Sequence, residues 1–149
     1  MTNEERINAV QYLGYNERQA SFLVLAALHG GYFLRRQYAA FCGHEPGGSA
    51  ECLIEKALLK GHVRAHATVN RTIVYHVGTR PFFDLIGEGD NGNRRWRQPY
   101  TVELKLMGFD YVLAHRDYRY LVTETEKLEY FLGALRLDPL YLPARAYVG

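Results

Sequence analysis

The spacing of apolar residues in the first 60 positions predicts four helices separated by glycine-containing breaks. They span residues 3–13, 16–29, 35–41 and 49–60. Asn3, Asn16 and Ser49 are the expected N-caps, and Gln19 completes a capping box with Asn16. Residues 32–34 are a short extended segment, and the Pro and Gly residues of 44–48 predict a turn.

The pattern changes at residue 62, where β-branched residues become frequent. Residues 62–68 and 71–77 predict two strands of a hairpin with Asn70 in the turn between them. Residues 81–86 suit one or two helical turns. Residues 87–93 contain no apolar side chain and are predicted to form a flexible loop.

Beyond residue 94, a helical period starts at Pro99, with apolar residues at 102, 106, 109 and 113. This period predicts a helix to about residue 115, although the alternation at 102, 104 and 106 also suits a strand. Thr123 and Glu126 form a capping-box pattern that begins a last helix, which ends near residue 136. Residues 138–149 contain two prolines and are predicted to be an extended arm.

These elements predict a mainly helical α+β protein with four parts. They are an N-terminal helix (1–15), a central domain (16–80), the flexible loop (87–93), and a C-terminal helical extension with its arm (94–149).

Composition narrows the class of protein. The chain has 149 residues, a formal net charge of +2 and 48% hydrophobic residues, which excludes a histone-like polycation and global disorder. Its two cysteines are too few for a disulfide scaffold and suit a reducing cytoplasm. No apolar stretch approaches the length of a membrane span, and the first residues are acidic and polar, so we expect a cytoplasmic protein without a leader peptide.

The order helix, short strand, helix, turn, helix, hairpin in residues 16–77 resembles a winged helix-turn-helix domain. Residues 57–64 carry the resemblance, because a helix ending in Lys60 and Gly61 runs directly into the hairpin. The layout is similar to that of MarR-like DNA-binding proteins. The resemblance implies that residues 49–60 enter the major groove of duplex DNA and that residues 62–77 form the wing.

The charge distribution agrees with this interpretation. Residues 31–80 contain seven Lys and Arg against three acidic residues, so this segment carries about +4 and the remainder about −2. Glu51 and Glu55 lie on the presumed reading helix and would repel phosphate. The candidate DNA-contacting residues are Arg35, Arg36, Ser49, Cys52, Lys56, Lys60, Arg64, Asn70 and Arg71.

A second resemblance concerns the C-terminal third. Residues 111–115, 120–127 and 130–131 are similar to the replication-relaxation (MobC-like) proteins of mobile elements. This resemblance implies a role in the replication, transfer or regulation of such an element.

The sequence therefore predicts a non-enzymatic DNA-binding protein, either a transcriptional regulator or a mobile-element accessory factor. The alternative is a winged-helix module that docks to proteins and has no DNA affinity. Leu58 and Leu59 are apolar where a lone reading helix would be polar. They suggest a homodimer formed through the N-terminal helix and the C-terminal extension.

Other chemistries fit the sequence less well. Cys42, His44, Cys52, His62 and His66 could suggest zinc, but their spacing is irregular and no CxxC pair is present. Glu103 and Lys105 have the Glu-x-Lys form of a metal-dependent nuclease, but too few strands surround them. No cofactor or metal is expected. Residues 94–97 (Arg-Arg-Trp-Arg) either hold phosphate with a stacking indole or begin a helix whose Trp96 packs on the core.

Overall fold

The computed structural model describes residues 1–43 and 49–143, so the turn predicted at 44–48 and the end of the predicted arm lie outside the described residues. The chain divides into two compact units, Met1–Asp117 and Tyr118–Gly149. The division therefore falls after Asp117 and not at the predicted loop 87–93. The described residues are mainly helical with one small antiparallel sheet, which confirms the predicted α+β class.

The first unit contains six helices and three strands among its described residues. The helices are α1 (Asn3–Gln11), α2 (Glu17–Leu28), α3 (Arg35–Cys42), α4 (Ser49–Leu59), α5 (Arg80–Leu85) and α6 (Pro99–Ala114). The strands are β1 (Tyr32–Phe33), β2 (Val63–Ala67) and β3 (Ile73–Val77), and a 3-10 turn covers Gly92–Arg94. Residues 102–106 are helical, so the strand alternative for this segment is wrong.

The second unit begins with α7 (Glu124–Leu128), which continues into a π-helical turn at Glu129–Ala134. Its predicted capping box is present, because Thr123 Oγ1 accepts from the amide of Glu126 at 3.1 Å. The arm is not extended throughout, since Pro139–Tyr141 forms a 3-10 turn. The Asp138 carboxylate caps this turn by accepting from the amide of Leu140 at 2.9 Å.

The helix caps of the first unit follow the sequence with one correction. Asn16 and Gln19 form the predicted capping box of α2. At α1, however, the N-cap is Thr2 and not Asn3. Thr2 has extended backbone angles and its hydroxyl accepts from the amide of Glu5, so Asn3 is already helical. At α4, Ser49 is the first helical residue, and the preceding position lies outside the described residues.

The sheet has the order β1-β3-β2, so the last strand of the hairpin lies in the centre. On one face, Phe33 stacks on Tyr75 and contacts Phe22 of α2 edge to face, with ring centroids 5.4 and 5.1 Å apart. On the other face, Tyr32 and Val74 form a cluster with residues of α6. Helices therefore cover both faces of β1 and β3, whereas most of β2 stays exposed.

Phe22 is the centre of the aromatic core. Its ring lies 4.9–5.7 Å from the rings of Phe33, Tyr38, Phe41 and Phe109. These residues belong to α2, β1, α3 and α6, so one buried ring joins four elements. Offset and edge-to-face aromatic contacts of this kind add about 0.5–1.5 kcal/mol per pair beyond burial.

The predicted loop 87–93 is bound to the first unit at its last residue. The side-chain amide of Asn93 donates to the last two carbonyls of α2, both at 3.1 Å. Its Oδ1 accepts from Lys105 of α6 at 2.8 Å, and its backbone carbonyl lies 2.9 Å from Nε2 of His76. Motion within the segment stays a prediction, but Asn93 connects α2, β3 and α6.

We expect Gly31→Ala to destabilise the first unit by about 2–4 kcal/mol. Gly31 has φ +86°, and an added Cβ would overlap the carbonyl oxygen of Asn93. Gly61→Ala is the matched control: its φ is +73°, but nothing lies within 4 Å of the added Cβ, so only backbone strain of about 1 kcal/mol is expected. Urea unfolding measures both, and equal losses in the two variants would contradict the close packing at Gly31.

Candidate nucleic-acid interface

Helix α4 is amphipathic, with one side in the core and the other in solvent. Leu53, Ile54 and Ala57 are buried. The exposed side carries Glu51, Cys52, Glu55, Leu58 and Leu59. The surface that would enter a DNA groove is therefore acidic and apolar, with no arginine from the helix itself.

Two of the predicted phosphate contacts are arginines that bind carboxylates of the same chain. Arg35 forms an exposed ion pair with Glu51. Arg36 donates to both carboxylate oxygens of Asp110 at 2.7 and 2.8 Å, a bidentate pair that connects α3 to α6. The guanidinium holds the pKa of Asp110 below its ordinary value. Both positive charges are thus balanced before any partner binds.

Lys56 of α4 and Lys60, which follows the helix, lie against the turn between α1 and α2. Lys56 Nζ donates to the Gly14 carbonyl at 3.1 Å and to Gln19 Oε1 at 3.2 Å, and it lies 5.7 Å from the centre of the Tyr15 ring. The ammonium of Lys60 also lies beside Gly14. Lys56 therefore stabilises the position of α4, and its charge is directed away from the exposed acidic side.

Cys52 lines an open groove of about 780 Å³ together with Cys42, and both thiols are free. The groove lies between the start of α2, the end of α3 and the start of α4. Arg116 covers one side, with its guanidinium 4.3 Å from the centre of the Phe41 ring. Cys52, one of the predicted DNA contacts, thus lies at the start of α4 beside this groove.

The hairpin carries the other predicted contacts, Arg64, Asn70 and Arg71, and all three are exposed. At the tip, the Arg71 amide donates to the Thr68 carbonyl at 3.0 Å, and the Thr68 amide donates to Thr72 at 2.9 Å. Arg71 has φ +62°, a left-handed conformation typical of a tight turn. The tip therefore projects a cation, as predicted.

Trp96 packs on the outer face of this hairpin and remains 48% exposed. Its ring centroid lies 3.8 Å from that of His66, 5.4 Å from Tyr32 and 5.7 Å from His76. Arg64 is paired with His76 in the strand register and therefore lies on the same face of the sheet. Trp96 thus packs on the sheet and still presents half of its surface to solvent.

The Tyr32 hydroxyl fixes the backbone on both sides of Trp96. It donates to the Arg95 carbonyl at 3.1 Å and accepts from the Arg97 amide at 2.8 Å. Burial raises the pKa of Tyr32, so the hydroxyl stays protonated and can donate. Two exposed arginines, Arg95 and Arg97, are held beside the hairpin in this way.

We name this surface the hairpin face; it consists of Arg64, His66 and the segment 95–97, in which the Trp96 ring contacts His66 and the Arg97 guanidinium donates to the Gly92 carbonyl at 3.4 Å. The Arg-Arg-Trp-Arg run is evident in the sequence, but its position next to the hairpin is not. The sequence feature that points to this position is the presence of aromatic rings at residues 32, 66, 76 and 96, which contact one another in the structure.

The rejected chemistries gain no geometric support. Within residues 1–43 and 49–143, no three His, Cys, Asp or Glu side chains form a group that could hold a metal ion. His44, named in the zinc alternative, lies outside the described residues. Glu103 and Lys105 are on helix α6, and Lys105 Nζ is bound to Asn93, whereas a nuclease core would need them on adjacent strands.

Comparisons with protein-family models, with curated proteins and with solved structures find no match for this chain. In the part of the chain that the structure describes, no helix combines the length and the apolar character needed to cross a lipid bilayer.

Acid is expected to destabilise the first unit through His76, which is buried, and His62, which is half-buried. Burial lowers the pKa of both His62 and His76, so the unfolded chain binds protons at a higher pH than the folded chain does. The free energy of unfolding should therefore be highest above about pH 6.5, the ordinary histidine pKa, and fall as the pH drops further.

His76→Gln tests the contribution of His76 to this pH dependence. Glutamine does not titrate and can still donate to the Asn93 carbonyl, which His76 Nε2 contacts at 2.9 Å. Urea unfolding at pH 7 and pH 5 should show a smaller acid-induced loss in the variant than in the wild type. An unchanged loss would mean that His76 is protonated as readily in the folded chain as in the unfolded one.

Proposed function

We propose that this chain is a non-enzymatic winged-helix protein that binds duplex DNA. In this proposal it acts as a transcriptional regulator or as an accessory factor of a mobile element. The observation that carries the proposal is the run α2-β1-α3-α4-β2-β3, with the sheet order β1-β3-β2 and a basic hairpin tip. This is the arrangement implied by the resemblance of residues 16–77 to winged helix-turn-helix domains.

The distribution of free charge suggests how DNA would be held. Arg35 and Arg36 are paired with acids, and Lys56 is bound to the α1–α2 turn. The exposed cations at the hairpin are Arg64 and Arg71, and Arg95 and Arg97 lie beside it. The attraction for DNA phosphates would therefore come mainly from the hairpin and the hairpin face. Helix α4 would fit the groove by its shape and add little electrostatic attraction.

The exposed side chains of α4 are poorly suited to recognising a particular DNA sequence. Arginine to guanine is the commonest base contact in the major groove, and the described surface of α4 presents two acids and two leucines. We therefore propose binding that depends strongly on salt and weakly on sequence. The half-exposed Trp96 ring adds an aromatic surface next to the cations.

Arg64→Ala combined with Arg71→Ala should weaken DNA binding and reduce its salt dependence. Each phosphate contact contributes about 0.9 to the slope of log K against log salt, so the slope should fall by about 2. Mobility shifts or fluorescence anisotropy with mixed-sequence duplex at 50–200 mM salt would measure both quantities.

Arg80→Ala is the matched control for the double variant. Arg80 is exposed, follows β3 at the end of the hairpin opposite its tip, and forms an ion pair with Asp84. Its variant should keep nearly the wild-type slope. A wild type without DNA affinity at 50 mM salt would overturn the proposed function, and unchanged binding by the double variant would remove the hairpin from it.

Glu51→Gln combined with Glu55→Gln should raise DNA affinity several-fold at low salt if α4 faces the duplex. The change removes two carboxylates from the exposed side of α4 and frees Arg35 from its ion pair. Glu4→Gln combined with Glu129→Gln changes the net charge equally at exposed positions outside α4 and the hairpin. Equal affinity gains in the two double variants would show an effect of net charge alone and would contradict the placement of α4.

A protein-docking function is the second candidate, and the exposed leucines favour it. Leu58 and Leu59 at the end of α4 are 39% and 91% exposed, and Tyr12 at the end of α1 is 92% exposed. Apolar side chains on a reading helix are better suited to a protein surface than to phosphate. Absence of any salt-dependent DNA affinity in the mobility shifts would favour this candidate.

A further inference from the structure

Helix α6 has apolar residues on two opposite sides. Its inner side packs on the sheet and the aromatic core through Val102, Phe109 and Val112, which are all buried. Its outer side carries four large side chains that are 49–72% exposed: Tyr100, Leu104, Met107 and Tyr111. A helix that is apolar around its circumference is typical of one covered on both sides.

The four outer residues, which we name the α6 seam, follow one another at intervals of four, three and four positions. This is the spacing by which one helix packs along another in knobs-into-holes fashion. Both the intervals and the residue types read the same in either direction, with a tyrosine at each end and two aliphatic residues between. Such a seam is complementary to itself when two copies of the helix run antiparallel.

Gly108 flanks the seam at mid-helix. An added Cβ there would meet nothing within 4 Å, so packing inside the chain gives no reason for glycine. Glycine at such a position costs about 1 kcal/mol relative to alanine. A second helix crossing near Gly108 would supply a reason, because the missing side chain lets two helices approach closely.

Charges beside the seam are also compatible with a second copy. Lys105 is bound to Asn93, and Asp110 is neutralised by Arg36. In an antiparallel pair, the flank carrying Glu103 meets the same flank of the other copy. Glu103 then lies near the Arg36–Asp110 ion pair of that copy, where the guanidinium offers a favourable contact.

The exposed area indicates the strength of such a pair. At roughly 200 Å² for each large side chain, the exposed fractions leave on the order of 450 Å² per copy. Two copies would bury about 900 Å² from the seam alone, just under the roughly 1,000 Å² that a biological interface should exceed. With the flanking residues included, this area suits a weak dimer whose population depends on concentration.

We propose that the α6 seam is a homodimerisation surface on which α6 of a second copy packs antiparallel. Leu104 of each copy then lies against Met107 of the other. The proposal does not depend on the proposed DNA binding, because none of the seam residues belongs to the hairpin or to α4.

Sedimentation equilibrium or light scattering between 5 and 200 µM tests the dimer. The wild type should change from mostly monomer to mostly dimer over this range, and Leu104→Glu should remain monomeric with an unchanged circular dichroism spectrum. Leu59→Glu, on an equally apolar and more exposed leucine of α4, should dimerise like the wild type. A dimer that persists in Leu104→Glu would overturn the proposal.

A wild type that is monomeric at 200 µM would also overturn it. If Leu104→Glu then lowered the melting temperature, the seam would be covered by a segment of the same chain; if it did not, the seam would be free in the isolated protein. Both results are incompatible with pairing of two copies.

Mixing two charge variants tests the antiparallel direction. Leu104→Glu and Met107→Lys should each be monomeric alone, whereas an equimolar mixture should form a heterodimer detectable by native mass spectrometry. In the antiparallel pair the new glutamate meets the new lysine, and in a parallel pair each would meet an unchanged apolar residue. A mixture that stays monomeric would contradict the antiparallel arrangement.

Discussion

The packing of the buried Tyr32 ring is the interaction on which the arrangement of the first unit depends. It stacks on His76 with centroids 4.3 Å apart and packs with Val74 and Val102. Its hydroxyl holds the backbone around Trp96 through two hydrogen bonds. One fully buried side chain on a two-residue strand thereby connects the sheet, α6 and the basic segment 94–97.

Positive charge is distributed differently on the folded surface than along the sequence. Residues 31–80 carry the excess of cations in the sequence, yet Arg35 and Arg36 are balanced by acids from α4 and α6. Arg95 and Arg97, which lie outside that segment, stand beside the hairpin. The exposed basic character therefore shifts from the helices toward the hairpin, and this shift is why the proposed DNA binding depends on salt more than on sequence.

Residues 87–114 are attached to the first compact unit and do not form part of a separate C-terminal extension. The sequence pattern predicts that a flexible loop separates residues 94–149 from residues 16–80. In the structure α6 belongs to the first compact unit, where Asn93 and the Arg36–Asp110 pair bind it to α2, β3 and α3. This attachment leaves the opposite side of α6 as a large apolar surface and makes a second copy its proposed partner.

The sequence by itself determined the local structure. The caps at Asn16 and Thr123, the helical period of α6 and the β-branched hairpin were all predicted, because each depends on residues within a few positions of one another. The tertiary structure alone decided which charges are free and which aromatic rings meet. Arg36 and Asp110 are 74 residues apart in the chain, and the Tyr32 hydroxyl bonds the Arg95 carbonyl 63 residues away. Such pairs form only when packing of the core brings distant elements together, and no local pattern records them.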